Sequence, residues 1–279
     1  MPKNIYPCLW FDGNGNEAAD LYCSIFENSK RVTDTAMVIT FELEGKKMMA
    51  LNGGPMFKKN QSISFFVTCA SDEETQHIWD NLIDGGQAMM ELDKYPWSEK
   101  YGWLIDKFGM SWQLMQGELN DPTQKIIPAL LFVGEQYGKA MEAIEKYLPL
   151  FPNSRLDEMQ VYGKEDAQQE GKVKFAKFHL DESAFAAMDG FGTHEFSFNE
   201  GVSLVVECDT QQEIDFYWQK LTEGGSESMC GWLKDEFGVS WQIVPQIMGK
   251  LATDKERSPC VFDALMKMKK IDIAALENA

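Results

Sequence analysis

The side chains best suited to acid–base or metal chemistry are few in this chain and mostly scattered. Its three histidines are His77, His179 and His194. His179 and His194 share one stretch with Asp189 and Glu195. Transition metals take imidazole, thiolate or carboxylate ligands from several directions, so this stretch is where a metal site in the second half of the chain could form.

Familiar catalytic motifs are absent from the sequence. It contains no Gly-x-Ser-x-Gly segment, no cysteine–histidine dyad, no phosphate-binding glycine-rich loop and no dinucleotide fingerprint. The segment Gly13-Asn-Gly-Asn is not the glycine-rich turn of a nucleotide-type cofactor fold, and the alternating βα pattern of such folds is missing. We therefore assign no catalytic residue and expect no cofactor.

Charge and composition exclude several classes of partner. The 279-residue chain has 26 basic and 44 acidic side chains, a net charge of −18, which repels phosphate backbones and anionic lipids. No apolar run reaches the roughly 18–20 residues that span a bilayer. The six cysteines form no Cys-x-x-Cys pair, and no export signal is visible, so we expect free thiols in a reducing compartment. The sequence predicts a cytoplasmic protein without nucleic-acid or membrane partners.

An internal repeat organises the chain. The segment 102–113, Gly-Trp-Leu-Ile-Asp-Lys-Phe-Gly-Met-Ser-Trp-Gln, returns nearly unchanged at 231–242. Further matches occur upstream in the same order at changing offsets, as insertions in loops produce. The sequence therefore predicts two copies of one domain, residues 1–118 and 124–246, followed by a tail, residues 247–279.

Each copy is predicted to contain two β-α-β-β-β modules. β-rich stretches such as Ser62–Cys69 predict strands, and apolar stripes at helical spacing predict helices such as 210–223. A polar residue three positions before a Glu predicts capped helix starts at Asn14, Ser71 and Thr210. We expect each copy to close its own eight-stranded mixed sheet around a cup.

The tail is predicted to form a docked helix. Ser258 can cap this helix, and Pro259 suits its first turn. An apolar face follows and must be buried, either on the same chain or on a second copy. Three lysines complement the dipole at the end of the helix: Lys267, Lys269 and Lys270.

The repeated motif carries a resemblance. Together with the preceding helix that ends in Gly85-Gly86, the Gly-Trp-Leu-x-Asp-x-Phe-Gly-x-Ser-Trp-Gln motif is similar to the PhnB-like group of the vicinal oxygen chelate superfamily (glyoxalase, bleomycin resistance, dihydroxybiphenyl dioxygenase). This group is often labelled 3-demethylubiquinone-9 3-methyltransferase. Residues 7–18 and 266–277 resemble the same group. The resemblance implies an α+β fold of tandem glyoxalase-like domains, in which four modules form curved mixed sheets, plus a C-terminal helix.

The resemblance also implies metal-ligand positions, which this chain fills with other residues. The superfamily sets His, Glu or Gln on the concave faces of paired modules. A neutral amide and a phenol fall short of the donor set that a transition metal needs, so we predict no metal. The matching positions hold Tyr6, Ser62, Gln113, Ile127, Gly201 and Gln242.

We interpret the chain as a metal-independent, small-molecule-binding protein, built as a fused pseudo-dimer that is monomeric or forms a homodimer. Aromatic and amide side chains are expected to line its cups. Two alternatives stay open: a metal-dependent lyase, isomerase or dioxygenase, or the methyltransferase of the group's label; and a protein with filled cups that acts through its surface. The expected ligand-binding residues are Tyr6, Trp10, Asn52 and Gln113 in one copy, and Leu131, Asp189 and Gln242 in the other.

Overall fold

The computed structural model of the chain describes residues 5–119 and 124–279. Four modules follow one another, each with one strand, one helix and three further strands. None of the helices in the described part of the chain is both long and apolar enough to cross a bilayer. The strands are β1 Ile5–Phe11, β2 Lys30–Asp34, β3 Val38–Leu43, β4 Lys46–Asn52, β5 Ile63–Cys69, β6 Gln87–Tyr95, β7 Ser98–Ile105, β8 Ser111–Gln116, β9 Ile126–Phe132, β10 Arg155–Val161, β11 Val173–Leu180, β12 Ser183–Asp189, β13 Val202–Cys208, β14 Ser226–Glu227, β15 Trp232–Lys234 and β16 Ser240–Pro245. The helices are α1 Gly15–Ile25, α2 Asp72–Ile83, α3 Ala140–Tyr147, α4 Gln211–Thr222, α5 Met248–Thr253, α6 Ser258–Leu265 and α7 Ile273–Glu277.

The modules combine into two eight-stranded sheets, and each sheet contains strands from both copies of the repeat. Sheet A has the strand order β14-β15-β16-β13-β1-β4-β3-β2, which joins the first module to the fourth. Sheet B has the order β10-β11-β12-β9-β5-β8-β7-β6, which joins the second module to the third. The α+β class, the tandem modules and the curved mixed sheets are confirmed. The expectation that each copy closes its own sheet is wrong.

The two copies meet along antiparallel pairs of first strands. In sheet A, β1 pairs with β13, with Tyr6 opposite Val205. In sheet B, β5 pairs with β9, with Phe66 opposite Ile127. The alternation of side chains along a strand reports which face is buried and not which strand lies beside it. The sequence therefore does not show whether the first strands of one copy pair with each other or with those of the other copy. We call the observed pairing between copies the exchange of modules.

Within each copy, the two modules pack together through aromatic side chains under the helices. The ring of Tyr22 in α1 lies 5.1 Å from that of Trp112 in β8, and the ring of Phe11 lies 6.4 Å from that of Phe108. The second copy repeats the tyrosine–tryptophan contact at 5.4 Å. Each copy is thus held by its core, while the sheets hold the two copies to each other.

A buried carboxylate fixes this contact in the first copy. Asp106, in the turn between β7 and β8, accepts hydrogen bonds from Tyr22 Oη at 2.6 Å and Trp112 Nε1 at 2.9 Å. The backbone N–H groups of Phe108 and Met110 also donate to it, at 2.8 and 2.9 Å. Asp106 therefore shapes its own turn and ties the second module to the helix of the first.

The second copy builds the same network around Asp235. Tyr147 Oη and Trp241 Nε1 donate to this carboxylate at 2.6 and 2.8 Å, and the N–H groups of Phe237 and Val239 donate at 2.9 and 3.0 Å. Burial raises the pKa of Asp235 to about 6, whereas the donated hydrogen bonds favour the ionised form. At neutral pH the buried carboxylate is charged and stabilised by these four donors.

Helices begin at all three predicted positions, and the expected side-chain cap is present at two of them. The Ser71 and Thr210 side chains accept hydrogen bonds from the N–H groups of Glu74 and Glu213. The Asn14 side chain makes no such bond. The first N–H of α1 donates instead to the side chain of Asn52 in β4, so the pattern at Asn14 predicts the start of the helix but not its cap.

The tail forms three helices that share one buried cluster. Helix α6 begins at Ser258 as predicted, although the Ser258 side chain does not cap it. Helix α5 is an addition to the single helix that the sequence predicts for the tail. Leu251, Val261 and Leu276 are buried together with Ile271, so all three helices contribute to the cluster.

The tail docks on its own chain. The backbone N–H of Cys230 donates to the carbonyl oxygen of Met268 at 2.7 Å. Lys270 pairs with Asp215 at 2.5 Å, and the Asp272 side chain caps α7. The tail helices therefore pack on their own chain, which is one of the two modes of docking that the sequence predicts.

Replacing Tyr147 with Phe is expected to lower the free energy of unfolding by about 1.5–3 kcal/mol, because hydrogen bonds to charged groups contribute about that much. Losing a donor raises the pKa of Asp235 further, so the native state holds the proton to a higher pH. Stability falls with rising pH wherever the native state binds more protons than the unfolded state. The loss should therefore be larger at pH 8 than at pH 5 in urea unfolding. Tyr162→Phe is the control, and an equal loss at both pH values would contradict the ionised network.

Replacing Leu276 with Ala is expected to lower the free energy of unfolding by about 2 kcal/mol or more, because it leaves a cavity in the tail cluster. Met266, which is 65% exposed in the same tail, provides the control. Met266→Ala should change stability by no more than about 0.5 kcal/mol. Urea unfolding of both variants measures the difference, and wild-type stability in Leu276→Ala would show that the tail helices add nothing to the fold.

Candidate functional site

Each sheet has a face opposite the helices α1–α4, which forms a cup. Side chains alternate between the two faces along every strand. On the helix side, the buried residues form one continuous core, whereas separate apolar clusters lie on the other side. We name the two faces opposite the helices cup A, on sheet A, and cup B, on sheet B.

Cup B is lined by small, aromatic and methionine side chains. Such surfaces suit flat apolar ligands, because aromatic rings stack and methionine adapts its shape. The buried lining residues are Phe66, Tyr101, Ile127, Ala129, Ala184 and Ala186. The half-buried residues packed around them are Met90, Tyr95, Trp103, Met115, Phe175 and Met188.

The centre of cup B holds a neutral hydrogen-bond chain. Tyr101 Oη donates to Gln113 Oε1 at 2.7 Å, and Gln113 Nε2 donates to Ser64 Oγ at 2.7 Å. Burial raises the pKa of Tyr101, so its hydroxyl keeps its proton at neutral pH. The chain fixes the orientation of the amide, and the second N–H of Gln113 can still donate to a ligand.

Cup A has a related but more closed centre. Gln242 Nε2 donates to Ser203 Oγ at 2.9 Å, which repeats the glutamine–serine pair of cup B. The buried residues beside this pair are Tyr6, Cys8 and Val205. Burial raises the pKa of the Cys8 thiol to about 12, so Cys8 is not a thiolate at neutral pH.

An internal ion pair occupies one side of cup A. Lys47 Nζ lies 2.5 Å from Glu207 Oε1 and 4.3 Å from the centre of the Tyr6 ring. Tyr6 Oη donates to the same Glu207 oxygen at 2.9 Å. Burial, together with the adjacent Glu207 carboxylate, raises the pKa of Tyr6. These three side chains satisfy one another and fill the space they enclose.

Equivalent positions in the two cups differ in size. In cup A, Cys8 of β1 lies opposite Met49 of β4. At the equivalent place in cup B, Ala129 of β9 lies opposite Ala186 of β12. Two residues earlier on the same strands, Lys47 of cup A corresponds to Ala184 of cup B. Cup B therefore has alanines where cup A has a methionine and a lysine, and the rings of Phe66 and Phe175 lie 5.5 Å apart in the same apolar cluster.

A cleft of about 720 Å³ lies at one end of sheet B, between the β6–β7 hairpin and the residues that follow β5 and β8. Trp97, at the tip of this hairpin, is 54% exposed. Its ring stacks on Tyr95 at 5.1 Å and meets the edge of Tyr101 at 5.9 Å. Trp97 thus connects the cleft to the aromatic lining of cup B. The cleft is lined by Ala70, Trp97, Ser98, Glu99, Gln116, Gly117, Glu118 and Leu119.

Comparison of the sequence with protein families gives one match, repeated along the chain. A model of the family described as 3-demethylubiquinone-9 3-methyltransferase matches residues 3–115 and again residues 124–244. This chain belongs to that family. No curated protein sequence matches the chain.

Two solved structures illustrate the relation. The PhnB protein from Bacillus cereus is 33% identical, with 39% of this chain and 96% of that one aligned and a TM-score of 0.38. Glyoxalase I from Zea mays is 12% identical, with 91% of this chain and 96% of that one aligned and a TM-score of 0.59. At that identity, the glyoxalase match shows a shared fold over nearly the whole chain.

The predicted ligand-binding residues are not grouped by copy, contrary to the expectation from the sequence, because each cup combines residues of both copies. Tyr6 and Trp10 lie in cup A with Gln242, which belongs to the other copy. Gln113 lies in cup B together with Leu131, again from the other copy. Each cup therefore takes its predicted residues from both halves of the chain, because the sheets exchange modules.

Asn52 and Asp189 hold helix starts on the other side of their sheets. Asn52 Oδ1 accepts from the backbone N–H of Gly15, the first residue of α1, at 2.9 Å. Asp189 accepts from the N–H groups of Gly138 at 2.8 Å and Ala140 at 3.2 Å, before and at the start of α3. These contacts give both side chains a role in the fold, and we do not assign them to a ligand.

Two further positions expected from the resemblance, Ser62 and Gly201, do not contact the glutamines of the cups. Ser62 and Gly201 bond to nearby asparagines in the loops before β5 and β13. The hydroxyls that reach the two glutamines are Ser64 and Ser203, two residues further along each strand. Alternation from the buried Phe65 places Ser64 on the cup face, so the sequence itself carries a signal for this residue.

The residues of the cups do not fit the metal chemistry of the superfamily. His179 pairs with Asp157 at 2.5 Å, Asp189 faces a helix start, and His194 lies near the carbonyl oxygen of Phe191. Within residues 5–119 and 124–279, no group of three or more His, Cys, Asp or Glu side chains could hold a metal ion. The cup centres offer amides, hydroxyls and a protonated thiol, which are poor ligands for a transition metal.

Proposed function

We propose that this protein binds a small, flat and largely apolar molecule in cup B without a metal ion. The observation that carries this proposal is the pair of alanines, Ala184 and Ala186, at positions where cup A has Lys47 and Met49. Cup A holds the lysine of an ion pair and a methionine at these positions, whereas cup B holds the two alanines among aromatic and methionine side chains. Binding sites for small molecules combine such apolar surface with few polar groups.

The polar groups of cup B support orientation of a ligand. Gln113 is held at both ends, by Tyr101 and Ser64, so its remaining N–H points in a fixed direction. A preorganised donor of this kind loses little entropy when it binds an acceptor on a ligand. Trp97, at the end of the same cup, adds an exposed aromatic surface.

The fused chain supports a monomeric pseudo-dimer. Both eight-stranded sheets are complete within one molecule, so no second copy is needed to finish either cup. We propose that one chain carries the whole binding site.

Replacing Ala186 with Met, the residue of cup A at the equivalent position, is expected to fill cup B. A titration with the apolar probe 2-naphthylmethanol, followed by protein fluorescence, should show affinity reduced at least about tenfold, or roughly 1.4 kcal/mol. Met49→Leu in cup A is the matched control and should bind the probe as the wild type does. Full affinity in a folded Ala186→Met variant would place the site elsewhere.

Removal of metal ions is expected to leave binding unchanged. Dialysis against EDTA followed by the same titration should give a dissociation constant within about twofold of the untreated protein, since the cup side chains offer neutral amides and hydroxyls. Loss of binding that returns with one equivalent of zinc, nickel or manganese would refute metal independence and favour the metal-dependent alternative.

A further inference from the structure

A lysine of β11 belongs to the lining of cup B. Lys177 lies opposite Ala186 across the β11–β12 pair, and Ala186 lies opposite Ala129 in the next pair. Residues directly opposed in a sheet share a face. The half-buried Lys177 is therefore on the cup side, next to Ala186.

The charge of Lys177 is not balanced within the described part of the chain. Between residues 5–119 and 124–279, no Asp or Glu oxygen lies within the 4.0 Å ion-pair distance of its Nζ. Glu158, its neighbour on β10, instead accepts a hydrogen bond from Gln160 at 2.7 Å. Lys47, the lysine in cup A, is paired with Glu207 at 2.5 Å. Among the described residues, the lysine of cup A is thus paired with a carboxylate and the lysine of cup B is not, although the chain has a net charge of −18.

The neighbouring basic groups are neutral or already paired. Arg155 Nε lies 2.8 Å from Asp157 Oδ1, and His179 Nδ1 lies 2.5 Å from Asp157 Oδ2. Burial lowers the pKa of His179, with Arg155 and Lys177 adding to this effect and Asp157 opposing it. The imidazole is therefore uncharged at pH 7, and Lys177 is the unbalanced cation of this side of the cup.

We propose that Lys177 binds an anionic group, a carboxylate or phenolate, carried by the ligand of cup B. This inference rests on the proposed function, since it names the class of ligand for the same site. The apolar part of such a ligand would lie over the alanines, toward Tyr101 and Trp103. These two residues are in β7, on the same face but in the other half of sheet B. A half-buried ammonium has lost part of its hydration, and a charged acceptor compensates for that loss.

Two probes with the same ring system test this assignment. 2-Naphthoate carries a carboxylate where 2-naphthylmethanol carries an uncharged hydroxyl. The wild-type protein should bind the naphthoate about tenfold more tightly than the alcohol, as one charged hydrogen bond allows. Lys177→Met should lower naphthoate affinity by about the same factor and leave alcohol affinity unchanged. Lys177→Arg should keep the preference.

Lys174→Met is the matched control, because Lys174 is an exposed lysine on the same strand. It should change the affinity for neither probe. Equal affinities of the wild type for the two probes, or an equal loss of both in Lys177→Met, would overturn the role of Lys177 and leave the proposed function standing. Failure of the wild type to bind either probe would overturn the proposed function, and this inference with it.

Discussion

The open edge of each module's first strand is the constraint on which this structure depends. A module has four strands, and its first strand is left with unpaired backbone groups along one side. Such an edge must be paired or covered, because exposed strand edges recruit other strands. The chain pairs each of these edges with the first strand of a module from the other copy. Both cups exist because of this exchange, since each lies across the line where the copies meet.

A second interaction makes the exchange possible by holding the modules of one copy together. The carboxylates of Asp106 and Asp235 each join a turn of one module to a tyrosine in the helix of its neighbour. The repeated motif thus serves the scaffold and is the same in both copies. The cups lie on the opposite faces, where the copies are free to differ, and there Lys47 and Met49 of cup A correspond to Ala184 and Ala186 of cup B.

Much of the fold could be predicted from the sequence, whereas little of the candidate site could. Repetition, helix caps at Ser71 and Thr210 and strand alternation indicated the modules and their order. Edge strands such as β2 were missed, because most of their residues are exposed and carry no alternation. Site residues depend on register between distant strands, so Lys177 became a candidate only when its opposite partner was known. Asn52 was misassigned for the same reason.

The pairing of β1 with β13 has a consequence for how the chain is made. Ile5 and its partner Val206 lie about 200 residues apart in the sequence, so Ile5 leaves the ribosome long before Val206 is translated. The central pair of sheet B, with Ile63 opposite Leu130, is complete much earlier. Contacts between distant parts of a sequence form slowly, and waiting strand edges aggregate. Sheet A is therefore completed after sheet B, and until then the unpaired edge of β1 must be covered to prevent aggregation.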